Sequence, residues 1–104
     1  MGAYVMRAEI YVDEEIAGYL ERVTAGYRFT YCDAYRGEPV SLTMPLSQKV
    51  YDYEVFPPFF DGLLPEGSML ESLLRRAKLD RDDFLGQLIA IGRDVVGNVT
   101  IRAA

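Results

Sequence analysis

The sequence predicts one α+β domain, in which a small antiparallel sheet (a meander plus a C-terminal strand) packs against two to three helices. Two observations support this fold class. In the first half of the chain, short segments alternate apolar and polar residues and are separated by turn residues, which is typical of antiparallel strands. From residue 68 onward, the apolar residues recur at helical spacing. A chain of 104 residues suits a single hydrophobic core, so one domain is expected over residues 1–104.

The meander is predicted from three segments with period-two alternation, at residues 6–12, 16–20 and 27–31. Polar residues at 13–15 form the first turn between them. In the second segment, Ile16, Gly18 and Leu20 are expected on one face of the returning strand. The closing strand is predicted at residues 96–102, where the buried positions are Val99 and Ile101 or their neighbours.

A fourth extended segment is predicted at residues 41–46. Alternation would place Leu42, Met44 and Leu46 on one side of it. Pro45 has no backbone N–H to donate, however, so the segment is expected to be an edge strand or an extended loop.

The first helix is predicted to begin at Ser68, because the run Ser68-Met69-Leu70-Glu71 matches a capping box. Its apolar face consists of Met69, Leu70, Leu73, Leu74 and Ala77. The basic residues Arg75, Arg76 and Lys78 fall in the last turn, where positive charge complements the helix dipole. That structural role is preferred over a nucleic-acid patch, because three charges on an acidic domain are few.

The second helix is predicted to have Asp80 as its N-cap, with Asp82 and Asp83 in the first turn. Its core face consists of Phe84, Leu85, Leu88 and Ile89, and Gly92 ends it. A calcium loop beginning at Asp80 is excluded, because positions six and twelve hold Leu85 and Ile91 where Gly and Glu are needed.

The composition excludes several classes of function. The chain has 11 Lys and Arg against 16 Asp and Glu, a net charge of −5, which argues against direct nucleic-acid binding. It has no histidine and a single cysteine, Cys32, so it lacks His-based catalysis, an intrachain disulfide and a Cys-cluster zinc site. No catalytic constellation is found. We therefore expect no enzymatic activity, no metal and no cofactor.

No targeting signal is recognised in the sequence. The N-terminus lacks the basic and apolar regions of a signal peptide, and no apolar stretch approaches the roughly 18 residues that a membrane-spanning helix needs. A free cysteine without an export signal indicates a reducing compartment. A cytoplasmic location with no membrane partner is therefore expected.

The segment of residues 55–67, called the connector below, is unusually rich in proline and aromatic residues. It holds three Phe and two Leu, and all five prolines of the chain lie between Pro39 and Pro65. One interpretation is a rigid apolar link that closes one end of the core. The other, which is compatible with it, is a preformed apolar surface for a partner. Phe59 and Phe60 are adjacent, so one is expected in the core and the other exposed.

Two motifs carry a resemblance to a known family. The run from Pro58 to Gly67, Pro-Phe-Phe-Asp-Gly-Leu-Leu-Pro-Glu-Gly, resembles the N-terminal subdomain of HipA-type Ser/Thr kinases, the toxins of bacterial toxin–antitoxin modules. The run from Ile91 to Val99 resembles the Gly-x-Asp-x-x-Gly element of the same family. The order of parts also agrees, so the resemblance covers the chain from about Arg7 to Arg102.

The resemblance implies a function by protein binding. The ATP-binding and catalytic elements of the family would follow residue 104. In HipBST-type modules a short protein, HipS, resembles this subdomain and acts as antitoxin to a separate HipA-like (HipT-type) kinase. The resemblance thus implies an antitoxin-like protein that inhibits such a kinase in trans, with a helix-turn-helix HipB-like repressor as a further partner. The alternative is the N-terminal structural subdomain of a larger kinase.

The resemblance also implies where the kinase is contacted, because the family places the Leu-Leu-Pro-Glu-Gly loop and the following helix start on the side that faces the kinase body. Some relatives carry a bulky Trp where this chain has Ser68, so plugging of the kinase active site by that side chain is not expected here. The expected contact region consists of Phe59, Phe60, Leu63, Leu64, Pro65, Glu66, Ser68 and Met69.

Overall fold

The computed structural model describes residues 6–93 and 97–104. Its elements, in chain order, are β1 (Arg7–Val12), β2 (Glu15–Val23), β3 (Gly26–Tyr31), β4 (Val50–Tyr53), α1 (Pro58–Asp61), α2 (Gly67–Ala77), α3 (Phe84–Ala90) and β5 (Val99–Ala103). The strand order in the sheet is β4-β3-β2-β1-β5, and every neighbouring pair is antiparallel. The predicted fold class is therefore confirmed. Residue 96, the predicted start of the closing strand, lies outside the described residues.

The first hairpin has a two-residue turn, as the polar residues there predicted. Val12 pairs with Glu15, and the turn residues Asp13 and Glu14 have φ values of 50° and 69°. Left-handed backbone at both turn positions matches the right-handed twist of the flanking strands. The Asp13 N–H also donates to the Asn98 carbonyl oxygen at 2.9 Å, which ties this turn to the segment before β5.

A β-bulge corrects the predicted face of β2. Ile10 pairs with Gly18 while Tyr11 pairs with Ile16, so Ala17 is an extra residue on the β2 side. A bulge interrupts the period-two alternation. As a result Ala17 is fully buried and joins the core, whereas Ile16, predicted to lie inward with Gly18, is only half-buried.

The core lies between one face of the sheet and the segments that cross it. Alternate residues of the strands, among them Ile10, Leu20 and Phe29, are fully buried there. The closing strand contributes Val99 and Ile101, as predicted. The other side of the core consists of loop and helix residues, namely Val40, Met44, Phe56, Phe60, Leu85 and Leu88.

The prediction of an extended segment at residues 41–46 is wrong. The Met44 N–H donates to the Ser41 carbonyl oxygen at 3.0 Å, and the Thr43 N–H donates to Ser41 Oγ at 3.2 Å. These short-range bonds bend the chain, so Met44 points into the core while Leu42 is 95% exposed. The edge strand is β4 instead, which pairs with β3 through Phe29 and Tyr51.

Helix α2 begins one residue earlier than predicted, and the predicted capping box is absent. Gly67 adopts a left-handed φ of 59°, the N-cap is Glu66, and no side chain caps the helix. Ser68 therefore lies inside the first turn. Glu71 accepts a hydrogen bond from Arg81 Nη2 at 2.6 Å instead of reaching back to the helix start.

The predicted apolar face of α2 is buried only in part. Leu73 is buried and Leu70 and Leu74 are half-buried, whereas Met69 and Ala77 are exposed. The basic last turn is confirmed, with Arg75 and Arg76 inside the helix and Lys78 as a left-handed C-cap.

The N-cap of α3 is Asp83, and the prediction of Asp80 is wrong. Asp83 Oδ1 accepts a hydrogen bond from the Gly86 N–H at 3.0 Å, and Asp83 is 4% exposed. Asp80 lies one turn earlier, where its carbonyl oxygen accepts from the Asp83 N–H at 3.1 Å. The core face is confirmed, because Leu85 and Leu88 are buried and Phe84 and Ile89 pack against the core.

Candidate partner-binding surface

No group of three or more His, Cys, Asp or Glu side chains that could hold a metal ion occurs in residues 6–93 and 97–104. Burial, followed by the neighbouring Asp33 carboxylate, raises the pKa of the Cys32 thiol, so this thiol is protonated at neutral pH and is a weak nucleophile. In the same part of the chain, no helix is long and apolar enough to cross a bilayer.

One side of the connector closes the core. Phe56 is buried, with its ring edge-on to that of Tyr27 at a centroid distance of 5.1 Å and tilted against that of Phe84 at 5.3 Å. The ring of Phe60 lies 6.2 Å from that of Phe29 in β3. These contacts confirm the interpretation of the connector as a rigid apolar link over the sheet.

The two adjacent phenylalanines differ in burial, and the prediction of one core residue holds for Phe60, but Phe59 still packs against the core and is not the exposed residue that was predicted. Phe60 is 0% exposed, whereas Phe59 is half-buried and reaches the surface. Both lie in α1, where successive side chains point about 100° apart, and the Asp61 N–H to Pro57 oxygen bond of 2.9 Å fixes this turn. Phe60 therefore belongs to the core and is not available to a partner of the folded protein.

The other predicted contact residues follow along the chain from α1 to the first turn of α2. Leu63 and Leu64 are half-buried and pack against the core, and Pro65 is also half-buried. Their turn is fixed by the Leu63 N–H to Phe60 oxygen bond of 3.0 Å. The remaining three, Glu66, Ser68 and Met69, are exposed, Met69 to 71%.

An open groove of about 550 Å³ lies beside this stretch, and the sequence did not predict it. Its lining residues are Glu38, Pro39, Val40, Ser41, Leu42 and Phe59. The groove is formed by two segments that are distant in the sequence, so no single local pattern predicts it. The available signals were the proline at position 39 and the isolated Leu42 among polar neighbours.

Two buried tyrosines hold the groove loop, residues 38–42, against the sheet. The Tyr31 hydroxyl donates to the Met44 oxygen at 2.5 Å and accepts from the Val40 N–H at 2.9 Å. The Tyr35 hydroxyl donates to the Glu38 oxygen at 2.5 Å, and the rings of Tyr31 and Tyr35 stack at 6.1 Å. The backbone of this segment is thus held at Glu38, Val40 and Met44.

Three acidic side chains near the connector and the groove loop form no ion pair with any described residue, namely Glu38, Asp61 and Glu66. The basic residues of the first 66 positions make other contacts: Arg7 over the Tyr19 ring, Arg22 with the Asp82 oxygen, Arg28 with Asp52, Arg36 with the Asp33 and Tyr35 oxygens, and Lys49 with Asp33.

Comparison with known proteins connects this architecture to one family. A family model described as the HipA N-terminal domain matches residues 8–102. A protein of Haemophilus influenzae, described as uncharacterized, is 28% identical over 98 residues, which cover 94% of this chain and 92% of the relative. A solved structure of the N-terminal domain of a HipA toxin superimposes with a TM-score of 0.73 at 23% identity, covering 98% of this chain and 95% of that one.

Proposed function

Because this chain belongs to the HipA N-terminal domain family, we propose that it is an antitoxin-like, non-enzymatic protein of the cytoplasm that binds a HipA-family Ser/Thr kinase in trans and inhibits it. The observation that carries the proposal is the apolar surface of the connector and its surroundings. Phe59 is half-buried and lines the groove, while Met69 and Leu42 are exposed to 71% and 95%. Aromatic and large apolar side chains on rigid backbone bind partners at low entropic cost.

The Haemophilus relative supports action in trans. The match covers 92% of that protein, so the relative consists of little more than this one domain. A domain of this family therefore occurs there without a kinase on the same chain.

The proposed contact region is the part of the stretch from α1 to the first turn of α2 that is not fully buried. It consists of Phe59, Leu63, Leu64, Pro65, Glu66, Ser68 and Met69. Phe60 is left out because it is buried. Binding through this stretch would inhibit the kinase if it favours an inactive arrangement of the kinase lobes, since a ligand shifts a conformational equilibrium only by its difference in affinity for the two states.

A second candidate function follows from the structural comparison. The matching solved structure is a domain of a HipA toxin, so the same surface would pack against a kinase body in cis if the chain were part of a longer protein. The two candidates differ in the mass of the protein in its own cells, which is 11.8 kDa for a separate chain of this sequence and larger for a fused kinase.

A HipB-like repressor is included in the proposal as a partner in a larger complex. The excess of acidic side chains argues that such a repressor, rather than this chain, would supply the phosphate contacts to DNA. We therefore expect no change in the mobility of DNA fragments when this protein is added alone.

The experiment is co-expression with the HipA-family kinase encoded nearest to its gene, followed by growth measurement and affinity co-purification. We expect the wild-type protein to relieve growth arrest and to co-purify with the kinase. Met69→Ser should weaken both, because it removes an exposed apolar side chain of the proposed contact region. Met6→Ser is the matched control and should weaken neither. Met6 is also an exposed methionine, but it lies just before β1 and outside that region. Continued growth arrest together with no co-purification of the wild-type protein would reject the proposal.

A further inference from the structure

We infer that Met69 makes kinase binding sensitive to peroxide, because oxidation of its thioether to the sulfoxide prevents binding and leaves the fold intact. This inference rests on the proposed function and adds a mode of regulation to the same contact region. It follows from the burial of the methionines, from the chemistry of the thioether and from the position of Met69 in α2.

The three methionines within residues 6–93 differ in their access to solvent. Met44 is 0% exposed and belongs to the core cluster, whereas Met6 and Met69 are exposed to 54% and 71%. A dissolved peroxide therefore reaches Met6 and Met69 in the folded protein and does not reach Met44. Oxidation under native conditions then leaves the core methionine unchanged.

The reaction adds one oxygen atom to the thioether sulfur. The sulfur lone pair attacks one oxygen of hydrogen peroxide, the S–O bond forms as the O–O bond breaks, and a proton moves to the departing oxygen, which leaves as water. Sulfur loses the two electrons that the peroxide gains. The product side chain is polar where methionine is apolar, and methionine sulfoxide reductases reverse the change.

Met69 is placed so that this change affects binding and not folding. It lies in the first turn of α2, next to the exposed Ser68. The helix is held by its buried residue Leu73 and by the ion pair of Glu71 with Arg81 at 2.6 Å. Within the described residues, Met69 belongs neither to the core nor to the apolar residues packed against it. A polar oxygen on Met69 stays hydrated in the free protein, but it loses that hydration when the contact region is covered by a partner.

Cys32 is another sulfur that peroxide can attack, but it is less reactive. Its side chain is half-buried, and burial raises the pKa of its thiol. The thiolate is the reactive form of cysteine, so oxidation of Cys32 should be slow at neutral pH. Cys32 also follows β3 and lies outside the contact region.

The test uses the full chain, partly oxidised with hydrogen peroxide and then mixed with a limiting amount of the purified kinase. Mass spectrometry measures the sulfoxide at each methionine in the bound and unbound fractions. We expect Met69 sulfoxide to be about fivefold or more depleted from the bound fraction, because it replaces an apolar interface contact. Met6 sulfoxide is the internal control and should be equal in both fractions. Treating the unbound fraction with methionine sulfoxide reductases for both epimers should restore binding, and the melting temperature of the oxidised protein should stay close to that of the untreated protein.

The outcomes separate this inference from the proposed function. If the kinase retains the protein and Met69 sulfoxide is equally abundant in both fractions, the inference is overturned and the proposed function stands. If the kinase does not retain even the untreated protein, both are rejected. Equal depletion of Met6 sulfoxide or of oxidised Cys32 would place the sensitive residue elsewhere. A lower melting temperature together with oxidised Met44 would show that peroxide acts by unfolding the protein, which also overturns the inference.

Discussion

The sheet and the region from the connector through α2 place their apolar residues differently. In the sheet, inward residues such as Ile10, Leu20 and Phe29 are fully buried. Helix α2 has an apolar face as regular as that of any strand, yet Leu73 alone is buried on it, and Leu73 does not belong to the main core cluster. Inward strand residues point directly at the loops and helices that cover one face of the sheet, whereas a helix at the margin of the core buries only the residues that face it. The unused apolar residues of this second region are the ones available for binding.

The outer face of the sheet supports the same contrast. Its side chains largely satisfy one another: Arg28 pairs with Asp52 at 2.7 Å, and the Tyr11 hydroxyl donates to Glu9 at 2.9 Å. Arg102 lies over the Tyr11 ring at 4.4 Å. A surface whose charges are already paired gains little from a charged partner, so we expect binding on the connector side and not here.

The largest expected effect comes from the connector residue that belongs to the core. Phe60→Ala should lower the free energy of unfolding by about 3 to 5 kcal/mol, because it removes a fully buried ring and leaves a cavity. Phe59→Ala should cost less, because its ring is half-buried, and should weaken kinase binding instead. Urea denaturation of both variants, with kinase affinity measured in parallel, checks the pair. Equal losses of stability would show that the two phenylalanines do not divide between core and surface.

Alanine substitutions at two glycines test how tightly the chain is packed in the sheet and in the connector. A Cβ on Gly18 in β2 would lie 2.2 Å from the Thr30 carbonyl oxygen, so Gly18→Ala must displace a neighbouring strand and should cost about 1 to 3 kcal/mol. Gly62, after α1, has a φ of −65° and meets nothing closer than 3.5 Å. Gly62→Ala should therefore be neutral or stabilise by up to about 1 kcal/mol. Thermal unfolding of both variants measures the difference, and a destabilised Gly62→Ala would mean that the connector is packed as tightly as the sheet.

The same contrast explains what the sequence predicts well. Strands β1 to β3 have one buried face each, so alternation identified them. Strand β4 was missed because its apolar Val50 lies on the exposed face and its inward residues are only half-buried tyrosines, so hydrophobicity along the strand does not follow burial. The N-cap of α3 was misplaced because Asp80, Asp82 and Asp83 all suit that role, and only the burial of Asp83 against α3 decides between them.

One part of the candidate site was likewise predicted from the sequence, and the other part was not. The stretch from Phe59 to Met69 was found from its composition, since proline and aromatic residues mark it in the sequence. The groove was not found, because one wall is a loop held by the hydrogen bonds that Tyr31 and Tyr35 make to residues 38–44 and the other wall is Phe59 of α1. Contacts of this kind join residues that no local pattern relates.

Tyr31 links the two regions, so Tyr31→Phe should affect both. It leaves the buried Val40 N–H and the Met44 oxygen without their partner, which should cost about 1 to 3 kcal/mol of stability. It should also weaken kinase binding by releasing the groove loop. A variant with unchanged stability and affinity would show that these bonds do not hold the loop.

The pH dependence of stability gives a second readout of Tyr31. Burial raises the pKa of the Tyr31 hydroxyl above its ordinary value of about 10. The folded state then holds this proton more tightly than the unfolded state, so stability is unaffected below about pH 10 and falls as the pH rises above it. Burial likewise raises the pKa values of Tyr35 and Tyr53, so Tyr31→Phe should reduce the alkaline loss without abolishing it. Urea denaturation between pH 8 and 11 measures this slope, and an identical slope in both proteins would contradict the assignment.

The smallest effects are expected at the starts of α2 and α3. The sequence predicts a cap at Ser68 and none at Asp83, and the structure has the opposite arrangement. Asp83→Ala removes an N-cap oxygen that accepts from the Gly86 N–H, so it should cost about 1 kcal/mol, and Asp83→Asn should retain most of the stability. Ser68→Ala, at a site where a capping box was predicted, should change stability by less than about 0.5 kcal/mol, because the hydroxyl caps nothing. Urea denaturation of the three variants resolves the order. If Ser68→Ala and Asp83→Ala lower the free energy of unfolding equally, Ser68 caps α2 after all, and α2 begins at the serine. The Ser68 and Glu71 side chains would then fix the first turn of α2. The exposed position of Met69 would have to be explained by a helix that begins at Ser68 instead of Gly67.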